Sequence, residues 1–340
     1  MILKRFLPLS TSSLLLLAIG CGAGPGAPPS ASTIYVVQTD IPATTASSIL
    51  ELPANGQGSV APAATLTAPA NTIFNAVAVD ELGNLYVSAE NTAQYPTINE
   101  VFVYAAGATG AATPERTLTN FSAQASSVVV DTKGQIYVLI TPNGDIQYIN
   151  TISIFAANAT GNAAPIRQIA GGLTQIDYPT SLAVDNSGNI YVANTEGHNI
   201  LVFSSTATGN VAPARIIAGT ATEMDRPLGV AVDTAGDIFT TSAFLASDSS
   251  FILEFPPGAN GNVAPTRVLT YLSQCCGTGA EGVAVDTAGN LYTTVFTEDT
   301  ETFAVDVFSP GQSLDNSAPS RTISSTAWNL SWGDGLVAIH

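Results

Sequence analysis

Histidine is almost missing from this chain, with two imidazoles, His198 and His340, among 340 residues. With no cysteine close to either, they cannot assemble the three protein ligands of a catalytic zinc centre. A serine nucleophile has almost no base to draw on, and no Gly-x-Ser-x-Gly stands between a strand and a helix. Both imidazoles are expected as solvated side chains. Cations are scarce too: nine Lys and Arg face 26 Asp and Glu, for a net charge of −17. That sign repels phosphate backbones and excludes nucleic acid as a partner. No apolar run reaches the ~20 residues a membrane-spanning helix needs. No stretch keeps a 3.6-residue period, so helix should be nearly absent. Apolar residues are plentiful at 46%, with only 10% charged, which excludes disorder.

The N-terminus reads as an export signal. Lys4 and Arg5 precede an apolar stretch centred on Leu14–Leu17, and Ala18-Ile19-Gly20 leads to Cys21. This resembles a bacterial lipoprotein signal in which Cys21 is lipidated, although Ala18 stands where leucine is usual. The alternative is an ordinary cleaved signal peptide. Residues 1–20 are therefore expected as signal peptide and 21–32, rich in Gly, Pro and Ser, as a flexible tether. Residues 33–340 form the folded part. The expected location is a bacterial membrane reached through the lipid anchor. Gly22 after the cysteine favours the outer membrane or cell surface. Cys275 and Cys276 remain as an adjacent pair in an oxidising compartment. Their Cα atoms, ~3.8 Å apart, lie below the ~4.4–6.8 Å of ordinary disulfides. Either two free thiols or a strained vicinal disulfide is expected.

Beyond the tether the chain repeats itself. An apolar-small-apolar-Asp element precedes a Gly turn and an apolar-aromatic pair: Val77–Asp80 with Leu85-Tyr86-Val87, then copies ending at Asp131, Asp185, Asp233 and Asp286. The Asp-to-Asp spacings are 51, 54, 48 and 53 residues. A second element follows each time: an apolar strand, a turn, and Ala-Pro-x-Arg, as in Ala163-Ala164-Pro165-Ile166-Arg167. Each repeat supplies four short strands, A to D, bounded by Gly, Asn and Pro. Such units arranged radially make an all-β propeller of four-stranded antiparallel blades. Six copies of strand C predict six blades. The ring is expected to close by a C-terminal strand A, read as the degraded copy Asn329–Trp332 with Gly333 at the Asp position, joining the N-terminal strands. Leu336–Ile339 is then a spare strand-B copy, which leaves open a seventh, truncated blade.

The pattern Pro227-Leu228-Gly229-Val230-Ala231-Val232-Asp233, with Gly188-Asn189-Ile190-Tyr191-Val192 and Asn199-Ile200-Leu201-Val202-Phe203, resembles the NHL-repeat propeller family, from Ile34 onward. The resemblance implies the fold. It leaves function open, because one scaffold hosts lyases, lactonases, receptors and binding proteins. A zinc lyase of this type needs several channel histidines, which are lacking here.

The five turn Asp residues recur once per blade and read as structural caps. The repeat arginines Arg116, Arg167, Arg215, Arg267 and Arg321 are expected to interact with the Asp of their own blade, directly or through a bridging group. Ala64 and Gly333 would mark their joint absence from the closing blade. A lactonase-like calcium site would draw on Glu281, Asn329 and Asn75 at the starts of A strands, three oxygens being few for Ca²⁺. No other cofactor and no catalytic residue is assigned. The variable B–C and D–A links form the expected binding face. It carries Tyr95, Tyr148, Tyr178, Glu223, Asp225, Phe244, Glu281 and Glu298, with Arg226 its only cation. An acidic, aromatic rim suits a cationic ligand, a glycan or a protein partner; the plain alternative is a solvated loop face. Three functions follow: a non-catalytic envelope binding or scaffolding protein, a metal-assisted lactonase- or lyase-like enzyme, or a structural envelope protein without a discrete ligand. The chain is expected to be a monomer.

Overall fold

Each Asp-bearing turn is flanked by two antiparallel strands, and each repeat adds two more outside them. The computed structural model describes residues 32–38, 47–93, 97–142, 149–244, 249–271, 279–297, 302–312, 318–325, 328 and 336–339. Six four-stranded antiparallel blades form a ring. Blade 2 runs Thr72–Val79 (A), Leu85–Asn91 (B), Ile98–Tyr104 (C) and Arg116–Phe121 (D). Blades 3 to 6 repeat this from Gln124, Pro179, Arg226 and Gly279. The described helix amounts to two 3₁₀ turns, Gly172–Thr174 and Thr220–Thr222. The inner strands are apolar next to the Asp turn, with Val77, Ala78, Val128, Leu182, Val230 and Ala284 essentially inaccessible.

Blade 1 closes the ring from both ends of the chain. Its B, C and D strands are Thr33–Gln38, Ser48–Pro53 and Ala64–Thr67. Its strand A is Leu336–Ile339, paired Ile34↔Ile339, Tyr35↔Ala338 and Val36↔Val337. This corrects the expected closing strand: the supposed spare strand is strand A, and no seventh blade is begun. The reason is register. Val337-Ala338-Ile339 aligns with Val77-Ala78-Val79, whose pairs are Val77↔Val87, Ala78↔Tyr86 and Val79↔Leu85. The Leu330–Gly333 copy, of similar composition, lies outside the described residues.

The turn Asp does more than cap. Asp80 Oδ1 accepts the Leu82 and Asn84 amides at 2.9 Å each. Its Oδ2 accepts the Asn84 side-chain amide at 2.9 Å and the Tyr86 hydroxyl at 3.2 Å. Asp131, Asp185 and Asp286 repeat all four bonds, with Tyr137, Tyr191 and Tyr292 donating at 3.1, 3.1 and 2.9 Å. The tyrosine stands on strand B, and its strand-A partner is Ala78, Ala183 or Ala284, with Val129 in blade 3.

The same hydroxyl receives the arginine of strand D. Arg215 Nη2 donates to Tyr191 at 3.1 Å, and Arg116, Arg167 and Arg321 bond Tyr86, Tyr137 and Tyr292. Burial, and next the Asp, push these hydroxyls up, while the Arg pulls them down. Tyrosine is thus the bridging group between Asp and Arg within a blade, and it spans the strands that separate them.

The arginine's other nitrogen leaves its blade. Nη1 donates to C–D turn carbonyls of the next blade: Arg116 to Ala157 at 2.7 Å, Arg167 to Ala207 at 3.0 Å, Arg215 to Ala259 at 2.7 Å, and Arg321 to Ala54. Beside it, the turn's glycine pairs in parallel with the preceding strand D, as in Leu66↔Gly110, Leu118↔Gly161, Ile169↔Gly209 and Ile217↔Gly261. Ile323↔Gly58 makes the same contact across the closure. These bridges occupy the outer edge of five blades, which would otherwise offer unpaired backbone.

Blade 5 breaks the pattern. Phe239 replaces the tyrosine and Asp237 replaces the Asn or Gln, so Asp233 loses both Oδ2 donors and keeps the amides of Ala235 and Asp237. Arg267 turns to Glu254 on strand C, at 2.6 Å. Burial, and then Asp233, hold the Asp237 carboxyl above its ordinary range. The folded state therefore prefers it protonated, and that preference stabilises at low pH and is lost as pH rises through the raised value. Asp237→Asn should restore the missing donor and raise unfolding free energy by about 1 kcal/mol at neutral pH. Urea denaturation should show a smaller gain under acidic conditions than at neutrality.

Candidate functional site

The B–C and D–A links share one side of the ring, and around blade 4 they are described throughout. The D–A links on its two flanks are twins. Gly171 and Gly219 open them at φ 117° and 120°, a conformation open to glycine alone. A Cβ on Gly171 would stand 2.6 Å from Asn210 Oδ1, the atom that accepts the Leu173 amide at 2.7 Å. Thr174 and Thr222 donate back to those glycine carbonyls at 2.7 Å each. Gln175 and Glu223 follow in the left-handed region, at φ 60° and 55°. Asp177 and Asp225 then donate their amides to Asn194 Oδ1 at 2.6 Å and Ser242 Oγ at 2.9 Å.

Between the twins lies the short B–C link of blade 4, clamped from both sides. Asn194 Nδ2 reaches the Gln175 carbonyl at 3.1 Å and Asn199 Oδ1 at 3.0 Å. Thr195 donates to the Pro227 carbonyl at 2.7 Å. His198, at φ 50°, places Nδ1 2.7 Å from the Asp225 carbonyl and 2.9 Å from its carboxylate. A carbonyl only accepts, so Nδ1 carries the proton. His198 is thus not the freely solvated imidazole expected, though its side chain is half exposed. Glu196 and Arg226 add an ion pair at 2.5 Å. Against this braced background Tyr178 stands 66% exposed, at φ 44°. Asp177 and Glu223 are exposed as well.

A second feature lies on the inner strands. Strand A carries a register shift at the same level in five blades. The residues there are Asn75, Ser126, Thr180, Leu228 and Glu281. Bulges re-aim side chains, and these lie in the half of strand A nearest the D–A link. Thr180 donates to the Leu228 carbonyl at 2.7 Å and Ser126 to the Leu139 carbonyl at 3.3 Å. The Asn75 amide nitrogen is buried without a partner among the described residues. Blade 5 and blade 6 brace the bulge alike: Gly229 N–H bonds Thr241 Oγ1 and Gly282 N–H bonds Thr294 Oγ1, at 2.8 and 3.2 Å.

Of the residues expected at a site, Tyr178, Glu223 and Asp225 belong to the links around blade 4, and Asn75 and Glu281 to the bulge ring. Phe244 ends strand B of blade 5. The side chains of Phe244 and Glu281 lie outside the described residues, as do Cys21, Tyr95, Tyr148, Cys275, Cys276, Glu298 and Asn329. The closing register also moves the start of that blade's strand A away from Asn329, to just before Leu336. No group of three His, Cys, Asp or Glu among the described residues could hold a metal. The B–C links are shorter than expected, because strand pairs run on to Asn91↔Ile98, Phe244↔Ser249 and Thr297↔Thr302. Sequence reasoning missed the twin links, although Gly171-x-x-Thr174-x-Ile176-Asp177 and Gly219-x-x-Thr222-x-Met224-Asp225 share one spacing.

Left-handed backbone at a non-glycine residue costs about 1–2 kcal/mol. Tyr178→Gly should therefore be more stable than Tyr178→Ala by about 1 kcal/mol in urea denaturation. Equal midpoints would mean that Tyr178 is held without strain.

Residues 177–203, from the second half of the first twin link through strand C of blade 4, match the NHL repeat. No curated protein matches the chain by sequence. Among solved structures, it is similar to a Bacteroides caccae protein of unknown function, at 8% identity and TM-score 0.61, covering 91% of this chain and 99% of that one. It is also similar to a periplasmic gluconolactonase of Pseudomonas aeruginosa, at 12% identity and TM-score 0.55, with 82% and 80% covered. A Bacteroides uniformis candidate 6-phosphogluconolactonase matches at 13% identity and TM-score 0.55, with 84% and 81% covered. Likeness at such identities speaks to the fold. The chain is a six-bladed β-propeller that carries an NHL repeat.

Proposed function

We propose that this propeller is a non-catalytic binding protein of the bacterial envelope, which holds a cationic ligand on the link side of blade 4. The observation that carries the reading is Tyr178: an exposed aromatic ring in a left-handed backbone, on a link braced at both ends, with the Asp177 and Glu223 carboxylates exposed on the same twin links. Strained backbone retained on an over-determined frame is common at ligand sites. An aromatic face beside carboxylates attracts a cation, and the net charge of −17 extends that field.

The full chain should bind a lysine-rich peptide in calorimetric titration. Tyr178→Ala should weaken the affinity about fivefold, and the binding should fade with added salt. Affinity unchanged by Tyr178→Ala would overturn the reading; binding of neutral oligosaccharides instead would replace the cation by a glycan. A lactonase reading draws on the likeness to gluconolactonases. It would use Asn75 and Glu281, with Ca²⁺ to polarise a lactone carbonyl, and calcium-dependent gluconolactone hydrolysis above the water rate would favour it.

The anchor belongs to the same proposal. Wild-type protein expressed in a bacterium should carry an acyl adduct on Cys21 by mass spectrometry and partition with membranes. Cys21→Ala should lose both properties. A wild-type chain without adduct would remove the anchor and leave an exported, free propeller.

A further inference from the structure

In four blades the Asp–Tyr–Arg relay ends in a guanidinium that sits among oxygen atoms. Arg116 Nη1 has the Ala157 and Ala159 carbonyls at 2.7 and 3.2 Å. Arg215 has the Ala259 carbonyl at 2.7 Å and the Tyr191 hydroxyl at 3.1 Å. Arg321 meets the Ala54 and Gly56 carbonyls. The cation is received by a fixed frame: a tyrosine hydroxyl of its own blade and C–D turn carbonyls of the next.

The junction between blades 1 and 2 keeps the frame without the arginine. Strand D of blade 1 has Ala64 where blades 2 to 6 have Arg, since Glu51↔Ala64 aligns with Val103↔Arg116, Ile154↔Arg167, Val202↔Arg215, Glu254↔Arg267 and Val307↔Arg321. The tyrosine is kept: Tyr35 pairs with Ala338 as Tyr86 pairs with Ala78. The bridge that docks the next turn is kept as well. Gly110 N–H donates to the Thr65 carbonyl and Thr67 N–H to the Gly110 carbonyl, at 2.7 Å each, as Gly161 bonds Thr117 and Thr119 at the following junction. Counted back from that glycine, Ala106 and Ala108 stand where Ala157 and Ala159 offer their carbonyls. Among the described residues no donor reaches the Ala106 or Ala108 carbonyl.

Glu51 adds a charge to this frame. It lies across from both Tyr35 and Ala64, at the position of Glu254 in blade 5, whose carboxylate has Arg267 at 2.6 Å. Glu51 Oε1 is buried and has no hydrogen-bond partner among the described residues. The described Lys and Arg side chains all belong to blades 2 to 6. A buried carboxylate oxygen is costly unless it is paired. Burial, ahead of the charge of Glu51, pushes the Tyr35 hydroxyl up to about 12, so it stays protonated at neutral pH and keeps its lone pairs for a cation.

We infer that the junction between blades 1 and 2 binds a small monovalent cation, held by the Glu51 carboxylate, the Tyr35 hydroxyl and the Ala106 and Ala108 carbonyls, in the place a guanidinium takes at other junctions. One carboxylate among neutral oxygens balances a single charge, whereas protein sites for divalent ions draw on several carboxylates. No group of three His, Cys, Asp or Glu among the described residues could hold a metal. Oxygen acceptors alone suit an alkali ion or a hydrogen-bonding cation such as guanidinium. The site lies on the turn side of the ring, so it is independent of the ligand proposed for the links of blade 4.

The test is thermal denaturation of the full chain at neutral pH and constant ionic strength. Tetramethylammonium chloride, too bulky for the frame, is replaced in part by potassium, sodium or guanidinium chloride at about 20 mM, too little to denature. At least one of the three should raise the melting temperature by about 2 °C or more. A gain with potassium or sodium names an alkali ion, and a gain with guanidinium names an arginine-like group. Glu51→Gln should cancel the difference between salts. Ala64→Arg supplies the cation covalently, so it should raise the melting temperature in tetramethylammonium and remove the response to the small cations. Should Ala64→Arg fail to fold, Glu51→Gln decides alone. Equal melting temperatures in every salt would overturn the inference. So would a cation-specific gain that survives Glu51→Gln, which would place the ion elsewhere.

Discussion

In blades 2, 3, 4 and 6 one carboxylate decides the local geometry. An Asp at the A–B turn accepts two turn amides, a side-chain amide and a tyrosine hydroxyl, which uses all the acceptor capacity of its two oxygens. The turn is fixed because its amides have nowhere better to go. The tyrosine is fixed because its hydroxyl is buried and must be satisfied. The arginine is then fixed by the tyrosine, and it reaches past its own blade to the next C–D turn. A chain of local hydrogen bonds becomes an inter-blade tie. A Tyr→Phe change at one position therefore has two consequences, and blade 5 displays both: Asp233 loses a donor, and Arg267 is recaptured by an acid on strand C.

The two sides of the ring follow opposite rules. The side with the A–B and C–D turns is uniform, and its regularity is that of a structural part repeated until the ring closes. On the other side the twin links around blade 4 have no counterpart among the described residues of the other blades. The left-handed residues Gln175, Tyr178 and Glu223 of these links, and His198 of the B–C link between them, lie beside bonds that hold the backbone: Thr174 to Gly171, Asn194 to Gln175, His198 to Asp225. Rigid scaffold on one side allows strained, exposed residues on the other.

Most of the fold was legible because the repeat writes its own boundaries. Asp80, Asp131, Asp185, Asp233 and Asp286 mark the A–B turns, and Ala-Pro-x-Arg marks strand D. The tyrosine was legible as a strand residue but not as a bridge, since Tyr86 satisfies β-propensity and the relay equally well. The closing strand was misread where the marker is absent. Val337-Ala338-Ile339 is followed by His340 rather than Asp, while Leu330-Ser331-Trp332-Gly333 offers a similar apolar rhythm in the sequence. Length of the B–C links was misread for a different reason. Residues such as Glu90, Asn99 and Glu100 look like loop residues by polarity, yet the hairpins of blade 2 extend through them, because an antiparallel pair continues as long as backbone bonds can be made. The site itself was legible only in outline, as acidic and aromatic links, because which link is braced depends on contacts between residues such as Asn194 and Asp177 that no periodicity encodes.

Closure is the step at which a repeat architecture must solve a problem that no single repeat poses. Blades 2 to 6 are each continuous in sequence, and their strands find one another across short turns. Blade 1 joins Leu336–Ile339 to Thr33–Gln38 across nearly the whole chain, and loop-closure entropy opposes that pairing before any contact rewards it. Four residue pairs of apolar strand must compensate. A strand of small and branched residues can slide by two without changing which face is buried, so apolar packing alone does not choose the register. A polar partner with a fixed reach does, since a buried polar group discriminates strongly between a register that satisfies it and one that does not. The other blades acquire this check as a by-product of their turns. In the closing blade strand A has no turn to strand B, and the described polar tie comes from its neighbour instead, where Arg321 of blade 6 bonds the Ala54 and Gly56 carbonyls of the C–D turn.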